Sequence, residues 1–158
     1  MEQMIWFLRL FSVFFLVLAI VTYSRDEISL AQSTTTIQKF EPAIKLILQR
    51  HSNKLARIPT IGESIIGNFD GEEVQVRMTE WIPNQKVSFE ILNLPHSETI
   101  SETHIWTESP ESNLVHSSYF MKTKPDLLSR IIFLFFGKST LQKNAENVTK
   151  LIGQASKS

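Results

Sequence analysis

The chain has 158 residues, 16 Lys plus Arg against 16 Asp plus Glu, no Cys and 42% hydrophobic residues. That length holds one domain rather than two, and a formal charge of zero excludes the basic excess with which a dedicated nucleic-acid binder displaces counterions from phosphates. Without cysteine there is no disulfide frame, thiolate metal site or cysteine nucleophile, so stability must come from an ordinary apolar core.

Residues 4–23 read MIWFLRLFSVFFLVLAIVTY, with Arg9 as the only charge. Twenty residues at 1.5 Å rise span a hydrocarbon core of about 30 Å, and an arginine near one end can reach the headgroups. Two readings fit: a single-pass membrane anchor, or a secretory signal with its apolar stretch over Leu10–Val21, giving a secreted or periplasmic protein. A signal needs a basic leading segment and a small-x-small cleavage site. Here the leading segment is Met-Glu-Gln-Met, and the best cleavage triplet, Ser29-Leu30-Ala31, lies eight residues past the apolar run. The anchor is therefore favoured, and the membrane is an expected partner through residues 4–23. Arg9 on one side faces Arg25-Asp26-Glu27 on the other, a balance that leans only slightly toward a domain outside the cytoplasm.

Residues 24–36 are polar and rich in Ser and Thr, the composition of a tether, leaving 37–156 as the folded domain. Ile37, Phe40, Ile44, Ile47 or Leu48, and Leu55 fall at helical spacing. Pro59 stops the pattern, which predicts a helix over about 40–56. Its polar side, with Lys45, Gln49, Arg50, Asn53, Lys54 and Arg57, reads as a solvated basic stripe or a contact for anionic headgroups.

The period then changes to two. Ile61–Phe69 is a strand, Asp70-Gly71 a hairpin signal, and Val74, Val76 and Met78 alternate with polar neighbours. With Pro83 and Asn84 as a two-residue loop, Val76 falls opposite Ile91 and Met78 opposite Phe89, so the apolar faces coincide as a correct register requires. Strands over about 99–107 and 113–122 complete five antiparallel strands. Pro125 and Asp126 open a long C-terminal helix reaching about residue 154. Its first part, Leu127–Phe136, is apolar nearly all round, interrupted by Ser129 and Arg130, and so is buried on several sides or lines an apolar cavity.

Sheet and helix each offer an apolar face with no other partner. The expected cavity wall is Val76, Met78, Phe89 and Ile91 from the sheet with Leu128, Ile131, Ile132 and Phe135 from the helix. Folding the last hairpin about Pro110 sets His104 across from His116 on one sheet face, and both join the wall if that face points inward. Glu102 and Ser118 lie near them. No metal or cofactor site and no catalytic residue is expected. Gly137-Lys138-Ser139-Thr140 ends like a phosphate-binding loop, but Ile132 stands where the first glycine belongs. No serine sits in a glycine elbow.

Pro59-Thr60-Ile61-Gly62 entering a strand, Val76-Arg77-Met78-Thr79-Glu80-Trp81-Ile82-Pro83-Asn84-Gln85-Lys86-Val87 across a hairpin, and Tyr119-Phe120-Met121-Lys122 leading through Lys124-Pro125 to the last helix are the decisive segments. Residues from about 58 to 155 thereby resemble the SRPBCC, or START-like, superfamily, in particular its polyketide cyclase/dehydrase and lipid-transport branch. The resemblance implies an α+β helix-grip fold, an antiparallel meander curled around the long C-terminal helix with an apolar cavity between them. The family opens with a strand and two short helices; here the strand either hides in Thr34–Gln38 or is missing. The function implied is noncatalytic binding of a hydrophobic small molecule or lipid at a membrane. A cyclase or dehydratase using Glu102, His104 or His116, and a membrane-tethered protein-interaction module, are the alternatives.

Overall fold

The computed structural model describes residues 2–52 and 55–154. Helix α1 (Glu2–Tyr23) leads into strand β1 (Glu27–Thr36), helix α2 (Phe40–Gln49), and strands β2 (Ser64–Phe69), β3 (Glu72–Ile82), β4 (Lys86–Leu92), β5 (Ser97–Thr107) and β6 (Asn113–Thr123). Helix α3 (Leu127–Ile132), a π-helical turn (Phe133–Gly137) and helix α4 (Lys138–Gln154) close the chain. The six strands form one antiparallel sheet in the order β1-β6-β5-β4-β3-β2.

The expected tether over 24–36 is in the main a strand. β1 pairs along its whole length with β6, from Glu27 opposite Lys122 to Thr36 opposite Asn113. Its inward positions include Ile28 and Leu30, packed on the core, but then turn polar. Gln32 donates to the Ala145 carbonyl at 2.6 Å, and Thr36 donates to the Ile152 carbonyl at 2.6 Å. Alternation is present while the hydrophobic contrast is not, because this strand meets α4 through hydrogen bonds. The folded domain thus begins before residue 37, and its first strand covers 27–36 where the sequence suggests one in Thr34–Gln38 or none; residues 155 and 156 fall outside the described residues.

α2 ends at Gln49, short of the expected residue 56; Asn53 and Lys54 lie outside the described residues. Its last carbonyls are taken by tightened bonds, with the His51 and Ser52 N–H groups both donating to the Leu48 carbonyl, and the Asn68 N–H from β2 captures the His51 carbonyl at 2.7 Å. Asp70 and Gly71, with φ of +55° and +96°, form the hairpin turn their composition signals.

The β3–β4 register is the expected one, Val76 opposite Ile91 and Met78 opposite Phe89, though by another route. The loop holds three residues, Pro83, Asn84 (φ +60°) and Gln85, between the pair Ile82 and Lys86, and a bulge at Thr79 absorbs the extra residue. In the last hairpin the register shift lies at Glu98, too far along to affect the histidines. The hairpin centres between Pro110 and Glu111, pairing His104 with Ser117 and Ile105 with His116. The two histidines therefore stand on opposite faces.

One core fills the space between the inner sheet face and α2 and α4. Val76, Met78, Phe89, Ile91, Ile100, Val115 and Tyr119 join Ala43, Ile44, Ile47, Leu48, Leu141, Ala145, Val148 and Ile152 in a single buried cluster. Asp126 caps α3 by accepting from the Ser129 N–H at 2.8 Å. The π-helical turn rests on Gly137, where a Cβ would stand 2.9 Å from Phe133 Cδ2 and 3.3 Å from Ile28 Cδ1. Gly137→Val is accordingly expected to cost about 1–3 kcal/mol by overpacking, seen as a lower urea midpoint of the detergent-solubilised chain; an unchanged midpoint would contradict the packing described.

Candidate functional site

Val76, Met78, Phe89, Ile91 and His104 are all buried on the inner sheet face, and Met78 also borders an open cleft of about 720 Å³ with Ile58, Pro59, Ile61 and Trp81. His116 points outward and shares a 2.7 Å hydrogen bond with Ser33 on β1. Of the four helix residues, Ile131 and Ile132 are half-buried, whereas Leu128 and Phe135 are 61% and 71% exposed. Along α3 and the π-helical turn the buried side is Ser129, Phe133 and Gly137, so Phe133 rather than Phe135 faces the sheet.

An open cleft of about 270 Å³ lies where α3 and the π-helical turn part from the sheet. Its apolar lining is Leu94, Ile100, Met121, Ile132, Phe133 and Phe136, with Asp70, Glu72 and His96 also on it. Of the expected wall residues Ile132 lines this cleft, beside Ile100 and Met121, which continue the inward alternation of β5 and β6. Another, more polar cleft of about 350 Å³ adjoins it through Phe69, Asp70 and Thr140 and is lined by Arg50, His51, Asn68, Lys143, Asn144 and Lys150.

Between that polar cleft and the core sits a buried ion pair. Glu102, 1% exposed, lies inward between Ile100 and Trp106, and both of its oxygens accept from Arg50 Nη2. Asn144 Nδ2 donates to Glu102 Oε1 at 2.7 Å, and His104 Nε2 stands 3.5 Å from Oε2. Arg50 Nε donates to His51 Nε2 at 2.9 Å, which leaves the proton on Nδ1 to be donated to the Asn68 carbonyl at 3.2 Å. Burial alone would raise the Glu102 carboxyl, but the Arg50 charge and the His104 contact hold it well below the ordinary carboxylate range. Burial, and then the adjacent Arg50 charge, lowers His51 to about 4. At neutral pH the cluster is one carboxylate, one guanidinium and a neutral His51.

Arg50 thus belongs to the core and not to a solvated stripe. The signal for it was a carboxylate on an otherwise apolar strand face, which has to meet a cation when buried. Trp81 and Trp106 both pack on Phe40, with ring centroids 5.0 and 5.2 Å from it.

No family model and no curated sequence matches this chain. Solved structures do match its fold. An Aha1 from Colwellia psychrerythraea superposes with a TM-score of 0.55 at 12% identity, over 79% of this chain and 96% of that one. A Thalictrum norcoclaurine synthase point mutant in complex with a transition-state analogue gives 0.53 at 14% identity, over 85% and 99%. The chain shares the helix-grip fold of these structures. The di-domain ARO/CYC StfQ of the steffimycin biosynthetic pathway matches at 0.51 and 11% identity over 82% of this chain. This helix-grip chain spans about half the length of the two di-domain proteins it matches, 51% and 53%.

Proposed function

We propose that this protein binds a hydrophobic small molecule or lipid, without transforming it, in the cleft between the π-helical turn and strands β5 and β6, at a membrane to which α1 anchors it. The observation that carries the reading is the cleft itself, an open recess of about 270 Å³ with a polar rim at Asp70, Glu72 and His96 and an apolar floor continuous with the core through Ile100, Met121 and Phe133. A norcoclaurine synthase of this fold in complex with a transition-state analogue supports only the binding part of the reading, since that protein is an enzyme. Glu102, the acid of the alternative cyclase reading, is tied to Arg50 and Asn144 and is not part of the cleft lining, which favours binding over that chemistry. A general acid has to titrate near working pH and reach the reacting atom.

Anchoring is supported by α1, long and apolar enough over Ile5–Thr22 to cross a bilayer. Cleavage after Ala31 would also cut β1 in half. Resistance of the full chain to carbonate extraction, with its original N-terminus, is expected; a soluble form starting near Gln32 would overturn anchoring. For the cleft, Ile132→Trp should lower uptake of a fluorescent fatty acid several-fold by filling the space. Undiminished uptake in that variant would move the binding site elsewhere.

A further inference from the structure

Leu127, Leu128, Leu134, Phe135 and Phe136 are between 44% and 71% exposed. They make one ridge about 15 Å long on α3 and the π-helical turn, and each of the pairs Leu127 with Leu134 and Leu128 with Phe135 is seven residues apart, on one helical face. Elsewhere on the domain, exposed Ile37, Ile61, Ile66, Ile82 and Ile105 lie singly on different segments, as is normal for a protein surface. The ridge adjoins the end of α1. Arg130 Nη1 donates to the Thr22 carbonyl at 3.0 Å, and Val21, the last apolar residue of the span, is 2% exposed.

We propose that this ridge lies in the headgroup region of the bilayer that α1 spans, turning the mouth of the apolar cleft toward the lipid. The inference rests on the anchor reading above. With Ile5–Thr22 in the hydrocarbon, a hydrogen bond to Thr22 fixes α3 at the level where the span ends, and a soluble partner would have to enter between ridge and membrane to cover it. Leucine and phenylalanine on one face, with an arginine beside them, suit a helix lying about 5–10 Å into the headgroup boundary. Ile132 and Phe136 belong to both the ridge segment and the cleft lining. A hydrophobic ligand could then pass from bilayer to cleft without crossing water.

The absence of cysteine allows single labels. Leu128→Cys, Phe135→Cys and, as the comparison on β2, Ile66→Cys are each labelled with an environment-sensitive fluorophore in the full chain, reconstituted in phosphatidylcholine nanodiscs with and without nitroxide-bearing lipid. Labels at 128 and 135 are expected to shift to the blue and to be quenched several-fold more than the label at 66. Retention in the nanodisc with water-like, unquenched labels at 128 and 135 would overturn the inference and leave the anchor standing. Blue-shifted labels that lipid nitroxide does not quench would mean that protein, such as a second copy, covers the ridge, and would overturn it equally. Loss of the unlabelled chain from carbonate-washed membranes would remove anchor and inference together.

Discussion

Glu102→Leu is expected to destabilise the domain by about 3–5 kcal/mol, because it leaves the Arg50 guanidinium, 11% exposed, without a counter-charge. For a chain of this size that lowers the melting temperature by roughly 10 °C. Arg50→Met alone should be comparably harmful, since it orphans a fully buried carboxylate. Combining the two should restore most of the loss, as apolar side chains of similar volume often replace a buried ion pair at little cost. A double-mutant cycle on the detergent-solubilised chain measures the coupling. Additive losses in the double variant would contradict the pairing described.

The second large effect is a loss of stability in acid. His51 takes up its proton near pH 6.5 when unfolded but near pH 4 when folded. From 6.5 down to 4 the unfolded chain therefore gains a proton that the folded chain refuses, and stability falls as pH falls by about 1.4 kcal/mol per unit, roughly 3 kcal/mol in all. Glu102 acts lower down. Its folded pKa is depressed, so its contribution is complete above about 4.5 and is lost as pH drops further. His51→Gln, which keeps an acceptor for Arg50 Nε, should flatten the upper part of the profile and leave the lower. Parallel profiles for variant and wild type, from unfolding midpoints at successive pH values, would exclude His51 as the source.

The fold was legible wherever a segment buries apolar residues at a regular period. β3, β4, the Asp70-Gly71 turn and the C-terminal helix were readable for that reason. β1 was not, because its inward positions end in Gln32, Thr34 and Thr36, which bond to α4 rather than bury carbon. The site suffered from two local events. The offset in the last hairpin sent His116 to the outer face and kept His104 inside, and the winding of α3 and the π-helical turn buries Ser129 and Phe133 in place of Leu128 and Phe135. Neither a hairpin register across a five-residue loop nor a π-helical turn has a hydrophobic signature, since both leave composition unchanged. The β3 bulge was equally invisible. It did no harm only because the three-residue loop cancels it.

The pairing of β1 with β6 also sets the order of events during synthesis. Ser29 meets Phe120, a partner roughly 90 residues later in the chain, and at about 5–20 residues per second the ribosome delivers it some 5–20 s afterwards. Throughout that interval β1 lacks the neighbour it has in the sheet, while the apolar helix before it is already made. A strand of Val and Ile waiting there would invite pairing with other nascent chains. Gln-Ser-Thr-Thr-Thr stays hydrated until β6 emerges, so the polar composition that disguises this strand also keeps it safe.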